Sequence, residues 1–418
     1  MTAQAMPERA LLVGAYLRSA DPVRSEASLR ELERLVETAG GCAAAMITQR
    51  MEKYNPGTLV GTGKVLEIAE AAKAMEARTI IFDCDLSPAQ QKTLEKETHA
   101  KIIDRTRLIL DIFAQRARTR EGELQVELAQ LSYMLPRLTG SWRGFSQQVG
   151  GIGTRGPGER KLEYERRHIQ NRIRHLRSDI ERVKRQRAVQ RKRRSEVPVP
   201  SVAILGYTNV GKSSLLNALT RQGSVYADDK LFATLDPTTR RVRMPQGGWA
   251  VFTDTVGFIS NLPTSLIAAF RSTLEEVLEA DCLLHVSDAS APDAEAQDAT
   301  VDKILLELGA KDIPSVRVCN KADLLDHEAR RRTTKGRLLV SAKTGAGLEK
   351  ALAQVQSVLD RRWLLREVLL GPTDGALLDL LHRSSQVLDQ SPQEDARLRV
   401  RLRVTPENWE RILHRLPR

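Results

Sequence analysis

The sequence predicts an α/β multidomain protein with four parts: an N-terminal α/β domain on a parallel sheet, an antiparallel coiled-coil helical hairpin, a phosphate-loop domain and a small C-terminal α+β domain. Three observations predict it. Short apolar runs alternate with helical patterns in the first 115 residues and again from residue 201, the alternation expected of βαβ units. Between them lie two seams of apolar residues spaced three and four apart, as in paired helices. A loop of the form GxxxxGK[ST] follows an apolar run at residues 202–205, where a strand–loop–helix unit would place it. The 418 residues exceed the roughly 150 to 250 that one hydrophobic core usually spans. The boundaries read as 1–115, 116–197, 198–362 and 363–418.

A hydrophobic fraction of 41% is enough for packed cores and excludes wholesale disorder. Phe, Tyr and Trp make up only 4%, so stacking of successive bases on aromatic platforms is not the expected mode of contact. Cys42, Cys84, Cys282 and Cys319 lie far apart with no CxxC pair, against a zinc site or disulfide framework and in keeping with a reducing compartment. The apolar stretch at 11–17 falls well short of the roughly 18 residues of a membrane span. A soluble cytoplasmic protein is expected.

Along the chain, residues 10–17 and 79–83 read as strands, and 28–39 and 65–75 as helices. Leu124, Leu128, Leu131, Leu135 and Leu138 form the first seam, which Pro136 should kink or end. Leu162, Ile169, Ile173, Leu176, Ile180 and Val183 form the second. One connection joins the two, so an antiparallel hairpin is the simplest arrangement. Its tip loop, 139–160, has seven glycines among residues 140–158; a loop of that length is usually functional or disordered. Residues 160–194 hold 15 Lys or Arg against four acids, so the second helix carries nearly all of the chain's net charge of +12. Such a run is either a solvated coiled-coil face or a contact for nucleic-acid phosphates, whose condensed counterions clustered arginines release.

Val197, Pro198, Val199 and Pro200 form a stiff linker. At the far end, residues 366–370, 375–388, 396–404 and 407–416 read as strand, helix, strand and helix. Arg397, Arg399, Arg401 and Arg403 alternate there with Leu398, Val400, Leu402 and Val404, placing arginines on one sheet face and apolar residues on the other.

The chemistry is concentrated after residue 200. Gly206, Tyr207, Thr208, Asn209, Val210, Gly211, Lys212 and Ser213 form the phosphate loop, followed by an apolar helix at 215–219. Its glycines let backbone N–H groups and the helix N-terminus face phosphates, Lys212 can reach the β and γ oxygens, and Ser213 can ligate Mg²⁺. That loop alone fits an ATPase or a GTPase. Asp254, Thr255, Val256 and Gly257 end the apolar run 250–252, where an Asp can hold Mg²⁺ through water and a Gly N–H can sense the γ-phosphate. Asn320, Lys321, Ala322 and Asp323 end the run 316–319. The NKxD carboxylate accepts from guanine N1–H and N2–H₂, donors that adenine lacks, so Asp323 selects GTP. Ser341, Ala342 and Lys343 fit the loop that braces the base.

Phe232, Ala233, Thr234, Leu235 and Asp236 stand where the first switch is expected. Thr234 is the candidate second Mg²⁺ ligand, with Thr238 and Thr239 as competitors that spacing leaves open. Lys212, Thr234 and Gly257 are the residues expected to act on the transferred phosphoryl group. Phe258 follows Gly257, at the position where a Gln orients the attacking water in familiar GTPases. Slow intrinsic hydrolysis, accelerated by a partner, follows. Asn209 occupies the loop position that helps bind K⁺ in GTPases using this ion in place of an arginine finger, so K⁺ stimulation is a further expectation. Two decoys are set aside. Gly151 to Gly156 matches GxGxxG with no strand before it, and Gly61, Thr62, Gly63 and Lys64 are too short for a phosphate loop and read as a turn before a helix.

Several longer strings are more specific than any of these motifs. Asp104-Arg105-Thr106, residues 108–113 and 124–131, Leu135-Pro136-Arg137-Leu138, residues 151–159 and Phe232-Ala233-Thr234-Leu235-Asp236 resemble the HflX GTPases, relatives of the Obg group. The resemblance extends over residues 10–360. It implies a monomeric, ribosome-associated GTPase that binds the large subunit and its RNA, not DNA. In the GTP state it would split stalled or idle ribosomes, with the hairpin tip directed toward the peptidyl-transferase centre. It also implies that Ser213 and Thr234 hold Mg²⁺. The alternative is a GTP-switched module that recruits another structured RNA or a protein.

Overall fold

A strand covered by helices on both faces must be apolar on both, and β1 (Glu8–Leu17) meets that requirement, with every residue from Ala10 to Ala15 buried. It pairs in parallel with β2 (Gly41–Met51) and β3 (Thr79–Phe82), and β3 pairs in parallel with β4 (Lys101–Asp104), in the order β2-β1-β3-β4. The computed structural model describes residues 7–138, 157–194, 199–220, 231–232, 234–260, 276–326, 330, 337–393 and 397–416. The chain divides into two units: residues 1–182 with 230–232 and 260–270, and residues 183–229 with 233–259 and 271–418.

In the first unit, α1 (Pro22–Thr38) starts six residues before its apolar stripe, because the Asp21 carboxylate accepts from Val23 N–H at 2.9 Å and Pro22 fits the first turn. Gly61 caps α2 (Thr62–Ala74), so the Gly61 to Lys64 string opens a helix. Ser87 and Gln90 form a capping box at the start of α3 (Pro88–Thr98), and Asp104 caps α4 (Arg105–Arg116). Strands β2 and β4 and helix α3 were not evident from periodicity. β4 has four residues, and β2 is a half-exposed edge strand rich in alanine. The core of this unit gathers Leu11, Val13, Ile68, Ile80, Phe82 and Leu94.

The strings around Asp104 and Pro136 are partners in a buried polar cluster. Arg105, 2% exposed, pairs with Asp83 at 2.5 Å and with Glu31, and Asp83 also accepts from the Tyr16 hydroxyl at 2.7 Å. Asp104 accepts from the Tyr133 hydroxyl (2.7 Å), Arg137 (2.9 Å) and Leu86 N–H (3.2 Å). Burial raises the Asp104 pKa, and these donors oppose it. Tyr133 lies on α5 (Arg120–Met134), which stops just before Pro136 as expected. Arg105→Ala strands two carboxylates and should cost about 3–5 kcal/mol. Urea unfolding with amide exchange of the first unit measures it; a change under about 1 kcal/mol would refute the cluster's role.

The second hairpin helix, α6 (Pro157–Arg194), begins at Pro157, inside the expected tip loop. Proline suits a first helical turn, which corrects the start from Leu162. Arg172 grips Glu127 of α5 with two hydrogen bonds of 2.7 and 2.8 Å, and Ile173, Leu176 and Ile180 are buried. The glycine-rich residues 139–156 lie outside the described residues. No helix among the described residues is long and apolar enough to cross a membrane.

The second unit is built on β5 (Ser201–Gly206), β6 (Thr238–Arg243), β7 (Trp249–Asp254), β8 (Cys282–Asp288), β9 (Ser315–Asn320) and β10 (Leu338–Leu339). Their order is β10-β9-β8-β5-β7-β6, parallel except for β6. Among the described residues it also contains helices α7 (Lys212–Thr220), α8 (Ala294–Leu308) and α9 (Leu348–Arg362). The C-terminal part is β11 (Leu364–Leu370), α10 (Gly375–Ser384), β12 (Gln386–Pro392), β13 (Leu398–Val404) and α11 (Pro406–Leu413), an antiparallel sheet of order β11-β13-β12. One expectation is corrected here, and one side chain differs from its neighbours. The helix expected over 375–388 ends at Ser384, and the chain turns into β12. Arg403 does not share the exposure of Arg397, Arg399 and Arg401. It is fully buried, donating to Asp360 of α9 at 2.8 Å.

Candidate nucleotide-binding site

The phosphate loop leaves β5 through Gly206 (φ 153°), where a Cβ would lie 2.1 Å from the Val286 carbonyl oxygen. Asn209 is left-handed (φ 60°), and a Cβ on Gly211 (φ 87°) would meet Asn320 Nδ2 at 2.5 Å. Only glycine fits such close approach. The loop is braced from below by Phe258, whose N–H donates to Gly206 O (3.1 Å) and whose carbonyl accepts from Thr208 N–H (2.8 Å). The Phe258 side chain is 2% exposed, so it packs into the domain and is not itself available to orient water. Tyr207 pairs with it as an isolated bridge.

Lys212 opens α7 and is 7% exposed; its Nζ donates to Tyr207 O (2.7 Å) and Gly206 O (3.3 Å). Burial lowers its pKa to about 8, against the opposing charge of Asp254. A Cβ on Gly257 would lie 2.9 Å from Lys212 Nζ and equally close to Thr208, so glycine is required there too.

Three oxygens converge beside this lysine. Ser213 Oγ donates to Asp254 Oδ2 (2.6 Å) and lies 2.8 Å from Thr234 Oγ1. Asp254 is fully buried, and its Oδ1 has no hydrogen-bond partner among the described residues. Burial raises its pKa, while Lys212, Ser213 and Thr234 pull it down. Two hydroxyls and a carboxylate, one oxygen of which is orphaned, form a hard, anionic donor set that fits Mg²⁺. Thr239 Oγ1 instead lies 3.2 Å from Thr253 Oγ1 on the neighbouring strand, and Thr238 opens β6. Thr234 is therefore the switch threonine brought to Ser213. Leu235 is buried, and Thr255 Oγ1 donates to Ile204 O at 2.7 Å. Ala233 lies outside the described residues.

At the other end of the site, Asn320 ties two loops together. Its Nδ2 donates to Val210 O (2.9 Å), and its Oδ1 accepts from Ala342 N–H (3.0 Å). Ser341 Oγ donates to Asp323 Oδ1 (2.6 Å), and this bond lowers the Asp323 pKa. The carboxylate stays an acceptor at neutral pH. Lys321 Nζ contacts Asp288 Oδ2 at 2.7 Å, and Lys343 is exposed. Asp288 was missed in the sequence; the signal was an apolar strand, Cys282–Asp288, that ends in an acid.

A parallel sheet that carries, at the carboxyl ends of its strands, a phosphate loop, a buried Asp beside the loop serine and an Asn-Lys-x-Asp loop braced by a serine defines a phosphate-loop GTPase. Residues 201–321 match a family described as "50S ribosome-binding GTPase", 26–114 one described as "GTP-binding GTPase N-terminal", and 116–194 one described as "GTP-binding GTPase Middle Region". The chain belongs to the HflX family of GTPases: it is 45% identical over 390 residues to GTPase HflX of Lacrimispora saccharolytica, covering 93% of this chain and 92% of that one. It is 42% identical to GTPase HflX of Escherichia coli (98% and 96% covered) and 44% identical to that of Magnetococcus marinus (93% and 91%).

Proposed function

We propose that this GTPase binds the large ribosomal subunit and, while GTP-bound, separates stalled or idle ribosomes into subunits, with hydrolysis permitting release. The carrying observation is that one chain joins a guanine-nucleotide site to α6, whose residues 160–194 hold 15 Lys or Arg against four acids. The match of residues 201–321 to a family described as "50S ribosome-binding GTPase" supports the same partner. On this reading the protein works as a monomer in the cytoplasm.

Within the site, Lys212 takes the β and γ oxygens, and its charge is restored by the phosphates it meets. Ser213 and Thr234 would hold Mg²⁺ directly, and Asp254 would hold it through water. Bound there, Mg²⁺ would supply positive charge that offsets the negative charge developing during phosphoryl transfer. Asp323 accepts from guanine N1–H and N2–H₂, with Ser341 and Asn320 holding it and the adjoining loop. The Gly257 N–H reports the γ-phosphate to the second switch. Buried Phe258 leaves water unoriented, so intrinsic turnover is slow and the ribosome accelerates it. K⁺ stimulation through Asn209 is tested by turnover in K⁺ against Na⁺; equal rates dismiss it.

The deciding experiment is a sucrose gradient of bacterial ribosomes with this protein and a non-hydrolysable GTP analogue or GDP. Splitting with the analogue alone, and co-sedimentation with the large subunit, is the expected result. Ribosomes intact and unbound in both samples would move the partner to another RNA or a protein. Neutralising Arg191, Lys192, Arg193 and Arg194 should lower the slope of log affinity against log salt by roughly 3–4, near 0.9 for each phosphate that is no longer neutralised. An unchanged slope would show that these residues face solvent.

A further inference from the structure

Within the second unit, the hairpin of β6 and β7 is held at its closed end by the C-terminal part of the chain. Strand β6 stands at the edge of the sheet and pairs with β7, from Thr238 opposite Asp254 to Arg243 opposite Trp249. Of its six residues only Val242 is buried, so its own packing does little to keep it in place. The turn that closes the hairpin contains Gly247 (φ 92°) and Gly248 (φ 76°), a left-handed glycine pair that loses much freedom on ordering. That turn is nonetheless gripped. Gln356 Oε1 on α9 accepts from Gln246 N–H at 3.0 Å, and Gln386 Nε2 at the start of β12 donates to Trp249 O at 2.6 Å. A Cβ on Gly248 would lie 2.6 Å from Leu388 Cδ2 and 2.8 Å from Gln386 Oε1, so the turn and β12 approach closely. Gln356 and Gln386 are both buried. Behind them, fully buried Arg403 reaches Gln386 Oε1 at 3.5 Å and Asp360 Oδ1 at 2.8 Å, one turn of α9 beyond Gln356.

We propose that Gln356 and Gln386 are positioning residues: from α9 and β12 they hold the turn between β6 and β7, and through β6 they keep the first switch's Thr234 beside Ser213. This rests on the GTP-site reading above. Thr234 stands four positions before Thr238, where β6 begins, and Pro237 between them fixes its φ and limits the slack. With β6 in register, Thr239 Oγ1 lies 3.2 Å from Thr253 Oγ1, and Thr234 Oγ1 lies 2.8 Å from Ser213 Oγ. With the turn released, an edge strand that buries one side chain frays. It must then be ordered again before Thr234 can serve Mg²⁺, and that ordering opposes binding. The C-terminal part thus acts on the GTP state from the far end of the hairpin, without touching the nucleotide.

Gln356 and Gln386 are remote in sequence from the phosphate loop and the switches, which makes them sharp probes. Full-length Gln356→Leu, Gln386→Leu and Gly248→Ala are compared with the parent in three measurements. These are amide exchange over residues 238–251 without nucleotide, Mg²⁺ dependence of GTP-analogue binding, and GDP affinity. Leucine keeps the seam filled while removing the hydrogen bond, and the Cβ added by Gly248→Ala pushes against Leu388 and Gln386. Each variant should speed exchange in β6 and raise the Mg²⁺ requirement about fivefold, the effect of one lost hydrogen bond. GDP affinity should stay within about twofold, because GDP has no γ-phosphate to recruit the switch. A merely structural seam would lower the thermal midpoint and leave the Mg²⁺ requirement where it was.

A parent-like Mg²⁺ requirement in folded Gln356→Leu and Gln386→Leu, whatever their exchange rates, would overturn the positioning role. So would a fall in GDP affinity as large as the Mg²⁺ shift, which marks general loosening. Failure of the parent itself to bind GDP would instead reject the GTP-site reading on which the proposal rests.

Discussion

Lys212→Ala should abolish measurable GTP hydrolysis, with a single-turnover rate at saturating nucleotide lower by on the order of 10²–10³-fold. The expectation follows from where the ammonium sits. Lys212 is 7% exposed and held by two loop carbonyls, so its charge is desolvated at the start of α7. A charge in such a water-poor pocket stabilises phosphoryl transfer far more than one in solvent. Removing it has a second effect. Asp254 is fully buried and draws part of its stabilisation from Lys212, so its carboxylate becomes harder to ionise and serves Mg²⁺ less well. Lys212→Arg should not rescue, because the planar guanidinium cannot occupy the space of a compact ammonium beneath Gly257, where 2.9 Å would separate Nζ from an added Cβ. Phosphate release under single-turnover conditions measures the effect. A rate within about threefold of the parent would defeat the phosphate-loop assignment.

Asp323→Asn should weaken GDP and GTP binding by on the order of a hundredfold or more, since a site built on specific hydrogen bonds rejects a mismatched partner strongly. Guanine presents two donors to this position, and the parent carboxylate answers with two acceptors. An amide presents one acceptor and one donor, so the guanine amino group meets an N–H. Xanthine carries an oxygen where guanine has that amino group, and the variant should therefore gain affinity for xanthosine nucleotides. Ser341→Ala removes only the 2.6 Å bond that orients the carboxylate, and its effect should be milder, several-fold in Kd. Competition of GDP, XDP and ADP against a fluorescent guanine nucleotide reads all three. Undiminished GDP binding by Asp323→Asn would remove this loop from base recognition.

The nucleotide motifs were legible because each is contiguous. A phosphate loop needs glycines at its bends and a lysine at its helix start, and those demands fall on neighbouring residues. The three switch threonines could not be separated that way. Thr234 and Thr239 are five positions apart, and what divides them is a partner: Ser213 for one, Thr253 on the next strand for the other. The arginine alternation in β13 set the register of Arg399, Arg401 and Arg403 but could not tell that Arg403 is buried, because period two does not report that Asp360 pairs with it. β12 escaped because its polar composition, Gln386–Pro392, continues the run after α10 without an apolar period.

The parallel N-terminal sheet, the phosphate-loop domain, the basic second hairpin helix and the family all follow from the order of residues alone, since local periodicity, turn chemistry and charge are properties of adjacent positions. The pairing of Asp104 with Arg137, of Arg105 with Asp83 and of Leu231 with Thr38 joins residues 33, 22 and 193 positions apart. Those pairings arise only when packing brings distant polar groups out of water and obliges each to find a partner.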